Sequence, residues 1–250
     1  MLTYLGFPCG DIDGDFGKKT EAAVKKYQTA IGISADGICG KTTWKYLILG
    51  KKKEIIKWLI FSFILLGLSI LIIKVLKEDY IWMDTLQDKM VRNNTLTSIM
   101  KFITSFGSAY FLIIVAGVSM LIFKKKNMGN YIALNLAIIY LLNVIIKNII
   151  KRARPLGYGL LYENGYSFPS GHSMVSVAFY GFILYLVIKN VKNKYFKYIA
   201  SLVIILLMVL IPISRVYLGV HYPSDVIGGA LFSLGYLLLF VMLYNKFCKE

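Results

Sequence analysis

Residues 201–240 read SLVIILLMVLIPISRVYLGVHYPSDVIGGALFSLGYLLLF, two apolar runs meeting at a polar knot that holds Arg215, His221 and Asp225. Extended to their natural limits, about 195–215 and 224–245, both runs are long enough to cross a bilayer, which takes roughly 20 apolar residues. The chain therefore crosses a membrane, turns at the knot and returns. Working outward, four more apolar segments of similar length lie at about 172–189, 130–150, 102–123 and 55–76. With 57% hydrophobic residues and a mean hydropathy of +0.64, the chain is too apolar for an ordinary soluble globule. The expected fold is all-α, a six-transmembrane-helix bundle over residues 51–250 preceded by a small helical domain over 1–50. Because the first apolar run follows about fifty polar residues, no cleavable leader is expected, and the first span serves as a signal anchor.

A formal charge of +16 would suit a nucleic-acid binder, but the lysines gather at span ends. Lys51, Lys52, Lys53 and Lys57 form one group, Lys124, Lys125 and Lys126 a second, and Lys189, Lys192, Lys194 and Lys197 a third. That is the positive-inside pattern, so no nucleic-acid partner is expected and both termini are assigned to the cytoplasm. The loops at 77–101, 151–171 and 214–224 then face outward. Cys9, Cys39 and Cys248 are too few and too scattered for a disulfide framework or a metal site.

Before the first span, Asp13-Gly14-Asp15-Phe16-Gly17-Lys18-Lys19-Thr20 recurs as Asp36-Gly37-Ile38-Cys39-Gly40-Lys41-Thr42-Thr43. The glycines permit tight turns, and each final threonine is placed to start a helix. Between the copies Thr20, Ala23, Val24, Tyr27 and Ile31 recur at helical spacing and make one apolar face. The paired motifs, closing at Trp44, resemble the small peptidoglycan-binding domain attached to bacterial wall hydrolases, although its first helix is nearly absent here. The resemblance names peptidoglycan or a cell-wall assembly component as the partner of residues 1–50, and gives no residue-level ligand site. A packing domain with no sugar ligand is the competing reading. Peptidoglycan lies outside the cell whereas the lysines place this segment inside, and three agreeing loops make the lysine pattern the stronger guide.

Three polar clusters lie at the outward ends of spans three to six. In Lys147-Asn148-Ile149-Ile150-Lys151-Arg152-Ala153-Arg154-Pro155, Arg154 is the seventh residue after Lys147, nearly two helical turns on, so both can point along one face. Taken alone, such cations also read as snorkelling anchors. In Pro169-Ser170-Gly171-His172 the first two residues can open a helix, and the bare Gly171 backbone lets amides face an anion beside His172. A cap followed by an unrelated histidine fits those four residues equally well. In Ser214 to Asp225, Arg215 closes a span and Asp225 follows His221 by about one turn. Its carboxylate can reach an imidazole nitrogen and leave the opposite nitrogen as a nucleophile, unless it merely caps the helix.

Together the clusters read K-x6-R-P, P-S-G-H and S-R-x5-H-x3-D, which resembles the type-2 phosphatidic acid phosphatase superfamily, relatives of the vanadium haloperoxidases. About ten fixed residues in order, each near one in twenty by composition, leave little room for coincidence. The resemblance implies a phosphate site built by Lys147, Arg154, Ser170, Gly171 and Arg215. It implies His221, oriented by Asp225, as the nucleophile that becomes a phosphohistidine, and His172 as the acid and base. It implies no metal and no cofactor, with three cations in their place. The substrate expected is a lipid phosphate, undecaprenyl diphosphate first, then phosphatidic acid or phosphatidylglycerol phosphate. A non-catalytic wall-tethering protein and a haloperoxidase are the rival readings.

Overall fold

The computed structural model describes residues 1–11, 13–75, 79–90, 92–123 and 127–247. The Lys124–Lys126 cluster, Cys248 and residues 77–78 of the first outward loop lie outside the described residues. The chain divides into two compact units, Met1–Phe61 and Ser62–Glu250.

In the first unit a single 3-10 turn, Thr3–Leu5, stands where the family would carry a helix. Helix α1 spans Lys18–Ala30, and α2, Lys41–Val75, begins in this unit. The face expected from spacing is the one that packs, since Ala23, Val24 and Tyr27 are buried with Leu2 and Leu47. The threonines differ from expectation. Gly17 precedes α1 without a side-chain cap, and Thr43 sits inside α2 with its hydroxyl donating to the Ile38 carbonyl at 3.2 Å. The reason is Gln28, which is fully buried and needs partners. Its amide donates to Asp36 Oδ1 at 2.6 Å, Ile38 O at 3.0 Å and Thr43 Oγ1 at 3.1 Å, and its carbonyl accepts the Gly37 amide at 2.8 Å. Thr43 therefore serves the core of the repeat and not the helix start.

The second unit contains a short helix, α3 (Asp79–Lys89), then α4 (Asn94–Ser105), α5 (Ala109–Ile122), α6 (Met128–Ile150), α7 (Gly171–Asn190), α8 (Lys194–Tyr217) and α9 (Pro223–Phe247). Among the described residues five helices are long and apolar enough to cross a membrane, and α4 with α5, bent by 42°, together have the length and apolarity of a sixth. The second span, expected as one helix over 102–123, is thus broken at residues 106–108. Ser108 caps α5 by accepting the Phe111 amide at 3.4 Å, and the Tyr180 hydroxyl donates to the Phe106 carbonyl at 2.8 Å, satisfying an acceptor that the break exposes. In lipid an unmet carbonyl costs several kcal/mol, so a break needs such a partner.

Helix α7 is the centre of the bundle, packing against α6, α8 and α9 and burying far more of its apolar stretch than α8 does. Small residues let the outer helices close in. A Cβ on Gly129 of α6 would strike the α5 backbone at Met120, and one on Gly235 of α9 would come 2.8 Å from the Ser62 carbonyl of α2. Ser62 in turn donates its hydroxyl to the Gly235 carbonyl at 2.5 Å.

Candidate active site

The α6–α7 connection and the α8–α9 turn meet at one end of the bundle. Helix α6 stops at Ile150 because Lys151 takes a left-handed conformation with φ 51°. Arg154 therefore does not share a helical face with Lys147, as the spacing suggested, but is carried back by the loop that follows. Its guanidinium is fixed by carbonyls: Nε donates to Gly165 at 3.0 Å, Nη2 to Asn164 at 3.0 Å and Nη1 to Val220 at 2.9 Å. Lys147 Nζ donates to the Tyr166 carbonyl. Both cations are thereby held against the loop 156–168.

Ser170 is the N-cap of α7, fully buried, and accepts the Ser173 amide at 3.4 Å and the Ser173 hydroxyl at 3.0 Å. Its own amide donates to the Asp225 carbonyl at 3.1 Å, tying the start of α7 to the start of α9. The first-turn amides of Gly171 and His172 have no acceptor within the helix, as at any helix start, and carry its positive end. His172 lies within electrostatic reach of Arg215, His221, Arg154 and Lys147, so the three clusters of the sequence form one site.

Arg215, 1% exposed at the end of α8, donates through Nη1 to Thr104 Oγ1 at 3.1 Å and through Nη2 to Glu163 Oε1 at 2.5 Å. Its Nε–H is buried without a partner in the described structure, a donor that an anion would satisfy. Burial pushes Glu163 upward, but the adjacent Arg215 and then Arg154 outweigh it, and its carboxyl lies below the usual range. Burial likewise pulls Arg154 below the ordinary guanidinium value.

His221 is 2% exposed, just before α9 begins at Pro223. Its Nε2 faces Arg154 Nη1 at 3.2 Å. Its Nδ1 is 3.5 Å from Asp225 Oδ2 and 3.3 Å from Ser167 Oγ, which itself donates to Oδ2. Asp225, fully buried, also accepts the Tyr222 amide at 2.9 Å and an Nη1–H of Arg152 at 2.8 Å. Burial pushes the His221 ring down to about 4, against the raising influence of Asp225, so it is neutral at pH 7.

Four of these residues escaped the sequence reading: Thr104, Arg152, Glu163 and Ser167. Arg152 and Ser167 stood inside or beside the quoted clusters, and a buried carboxylate needing donors was the signal that could have found them. Nothing local marks Thr104 or Glu163. Beneath His172 and Glu163 runs a cavity of about 730 Å³ between α5, α6 and α7, lined by small and apolar residues including Ala116, Ala133 and Ala137. Ile113, Met120 and Tyr140 at its sides are exposed on the bundle surface. Among the described residues no cluster of His, Cys, Asp and Glu could hold a metal.

Residues 129–248 match the model of the PAP2 superfamily. Over 160 residues the chain is 40% identical to the phosphatidylglycerophosphatase B of Bacillus subtilis (strain 168), covering 61% of this chain and 76% of that protein. The chain belongs to the PAP2 superfamily. This PAP2 chain also resembles, at 34% identity and a TM-score of 0.61, the crystal structure of the first transmembrane PAP2 type phosphatidylglycerolphosphate phosphatase from Bacillus subtilis, over 77% of this chain and 94% of that one. A further PAP2 relative is the undecaprenyl-diphosphatase of Sulfolobus acidocaldarius, 28% identical over 54% of this chain and 64% of its own. Residues 1–47 match the putative peptidoglycan binding domain. The protein is a multi-pass membrane member of the superfamily with a peptidoglycan-binding-like domain at its N-terminus.

Proposed function

We propose that this protein hydrolyses a lipid phosphate through a phosphohistidine at His221. The observation that carries the reading is the pairing of a neutral, buried His221 with the Arg154 guanidinium at 3.2 Å, because a phosphate seated on Arg154 brings its phosphorus to Nε2. Arg215, with its spare Nε–H, Lys147, and the Gly171 and His172 amides stabilise the charge that spreads over the equatorial oxygens, usually the largest catalytic contribution. His221 attacks in line. His172, at the mouth of the apolar cavity, protonates the leaving oxygen and then takes a proton from the water that cleaves the phosphohistidine, assistance of about 10²–10⁴-fold. Three cations do the work of a metal, so turnover persists in chelator.

The cavity below His172 suits a lipid tail, so the headgroup reaches the cations while the tail stays in the membrane. Among the lipids considered, the 40% relative supports phosphatidylglycerol phosphate ahead of undecaprenyl diphosphate and phosphatidic acid. The lysine pattern supports an extracytoplasmic site with both termini in the cytoplasm, and the match of residues 1–47 to the peptidoglycan-binding model supports residues 1–50 as a domain separate from 51–250. Phosphate release from the three lipids, measured for the wild type and His221→Ala in chelator, is the test. Loss of release in the variant is expected. Equal release by both sinks the phosphohistidine reading, release by neither favours a tethering role, and peroxide-dependent halide oxidation would favour the haloperoxidase.

A further inference from the structure

An arginine has no acceptor, so the 3.2 Å contact from Arg154 Nη1 requires the lone pair of neutral His221 to lie on Nε2 and its proton on Nδ1. That proton needs an acceptor. Asp225 Oδ2, 3.5 Å away, is the more distant of the two oxygens within reach and already accepts from the Ser167 hydroxyl and the Tyr222 amide. Its other oxygen takes the Arg152 guanidinium at 2.8 Å. Ser167 Oγ, 3.3 Å from Nδ1, has committed its proton to the carboxylate and therefore turns lone pairs toward the ring.

We propose that Ser167 is the positioning residue that links the two, accepting the Nδ1–H of His221 and donating to Asp225 Oδ2, with Arg152 fixing the carboxylate from its far side. Ser167 is fully buried and lies three residues before Ser170, in the segment that leads into the α7 cap. Asp225 then acts on His221 through a hydroxyl, and the tautomer competent for attack depends on a serine outside the three motifs. No bond to phosphorus involves Ser167, and no proton leaves it in the resting arrangement.

The inference rests on His221 being the attacking group, yet it can be tested without turnover. With His221 and His172 the only histidines of the sequence, a ¹⁵N-histidine spectrum of the detergent-solubilised full chain carries few signals, and His172→Asn assigns them. In the wild type at pH 7 His221 should show a protonated Nδ1 and bare Nε2. Ser167→Ala should introduce an Nε2-protonated population and lower kcat about 10–100-fold with KM unchanged, the usual cost of losing an orienting partner. In a double-mutant cycle with Asp225→Asn the two losses should not add, because both cut the same link. An unaltered tautomer in Ser167→Ala, or losses that add, would overturn the assignment. Ser167→Cys, which fills the site with a group that hydrogen-bonds only weakly, gives the same readouts if the alanine variant does not fold. A wild type with the expected tautomer but no phosphate release would reject the phosphatase reading and leave the serine link standing.

Discussion

At the scale of single residues, the proposed attack by His221 makes its protonation the acid limit of the reaction. An exposed histidine titrates near 6.5, whereas burial holds His221 at about 4. Attack needs the unprotonated ring, and the folded value is depressed, so the active form is already complete well below neutral pH and is lost only as pH falls through about 4. The acid limb of kcat/KM should therefore lie near pH 4 and not near 6.5. Asp225 raises this value, so Asp225→Asn should move the limb further into acid while lowering the rate at every pH. A limb near 6.5 in the wild type would show that His221 is more solvated than its burial implies. The motif residues were legible because their chemistry repeats in a fixed order along the chain. Ser167, Glu163, Thr104 and Arg152 were not, because what they do depends on partners brought near only by folding: Thr104 meets a residue 111 positions away.

At the scale of elements, the apolar runs announced the spans, but the break between α4 and α5 was hidden in one of them. Residues 102–123 are apolar enough to read as a single helix, and a lone glycine inside a helical pattern is ordinarily tolerated. What makes Gly107 decisive is its surroundings. A Cβ there would stand 2.7 Å from Ile211 Cγ2 and 3.0 Å from both His172 Cδ2 and Ser176 Oγ. The break thus lets α4 hold Thr104 against Arg215 while the chain passes close beside the His172 ring. Gly107→Val should force that ring out of place, lowering kcat at least tenfold, and overpacking of this kind should cost about 1–3 kcal/mol of stability. A variant with normal kcat would mean that the neighbouring helices yield freely. Similarly, Lys147 and Arg154 were read onto one helical face, and no periodicity could foresee that Lys151 ends the helix in a left-handed turn.

At the scale of the whole molecule, orientation is the prediction with the widest reach. Lys189, Lys192, Lys194 and Lys197 cluster where α7 hands over to α8, at the ends of these helices opposite His172 and Arg215. If that end is cytoplasmic, so is the peptidoglycan-binding-like unit. Cys9 and Cys39 are free and partly exposed, and serve as reporters in a Cys248→Ser background. A membrane-impermeant thiol reagent should leave both unlabelled in intact cells and label them after permeabilisation. Labelling of intact cells would reverse the orientation and move the site to the inner leaflet.

The cavity between α5, α6 and α7 is bordered by side chains exposed on the bundle surface, and for the proposed lipid substrate this changes what concentration means. A substrate that arrives sideways is drawn from a two-dimensional solution, so its mole fraction among the other lipids sets the rate. Diluting the substrate with inert phospholipid, at constant amounts of both substrate and enzyme per millilitre, should slow turnover in proportion once the mole fraction falls below saturation. A rate indifferent to such dilution would mean that the substrate arrives through water.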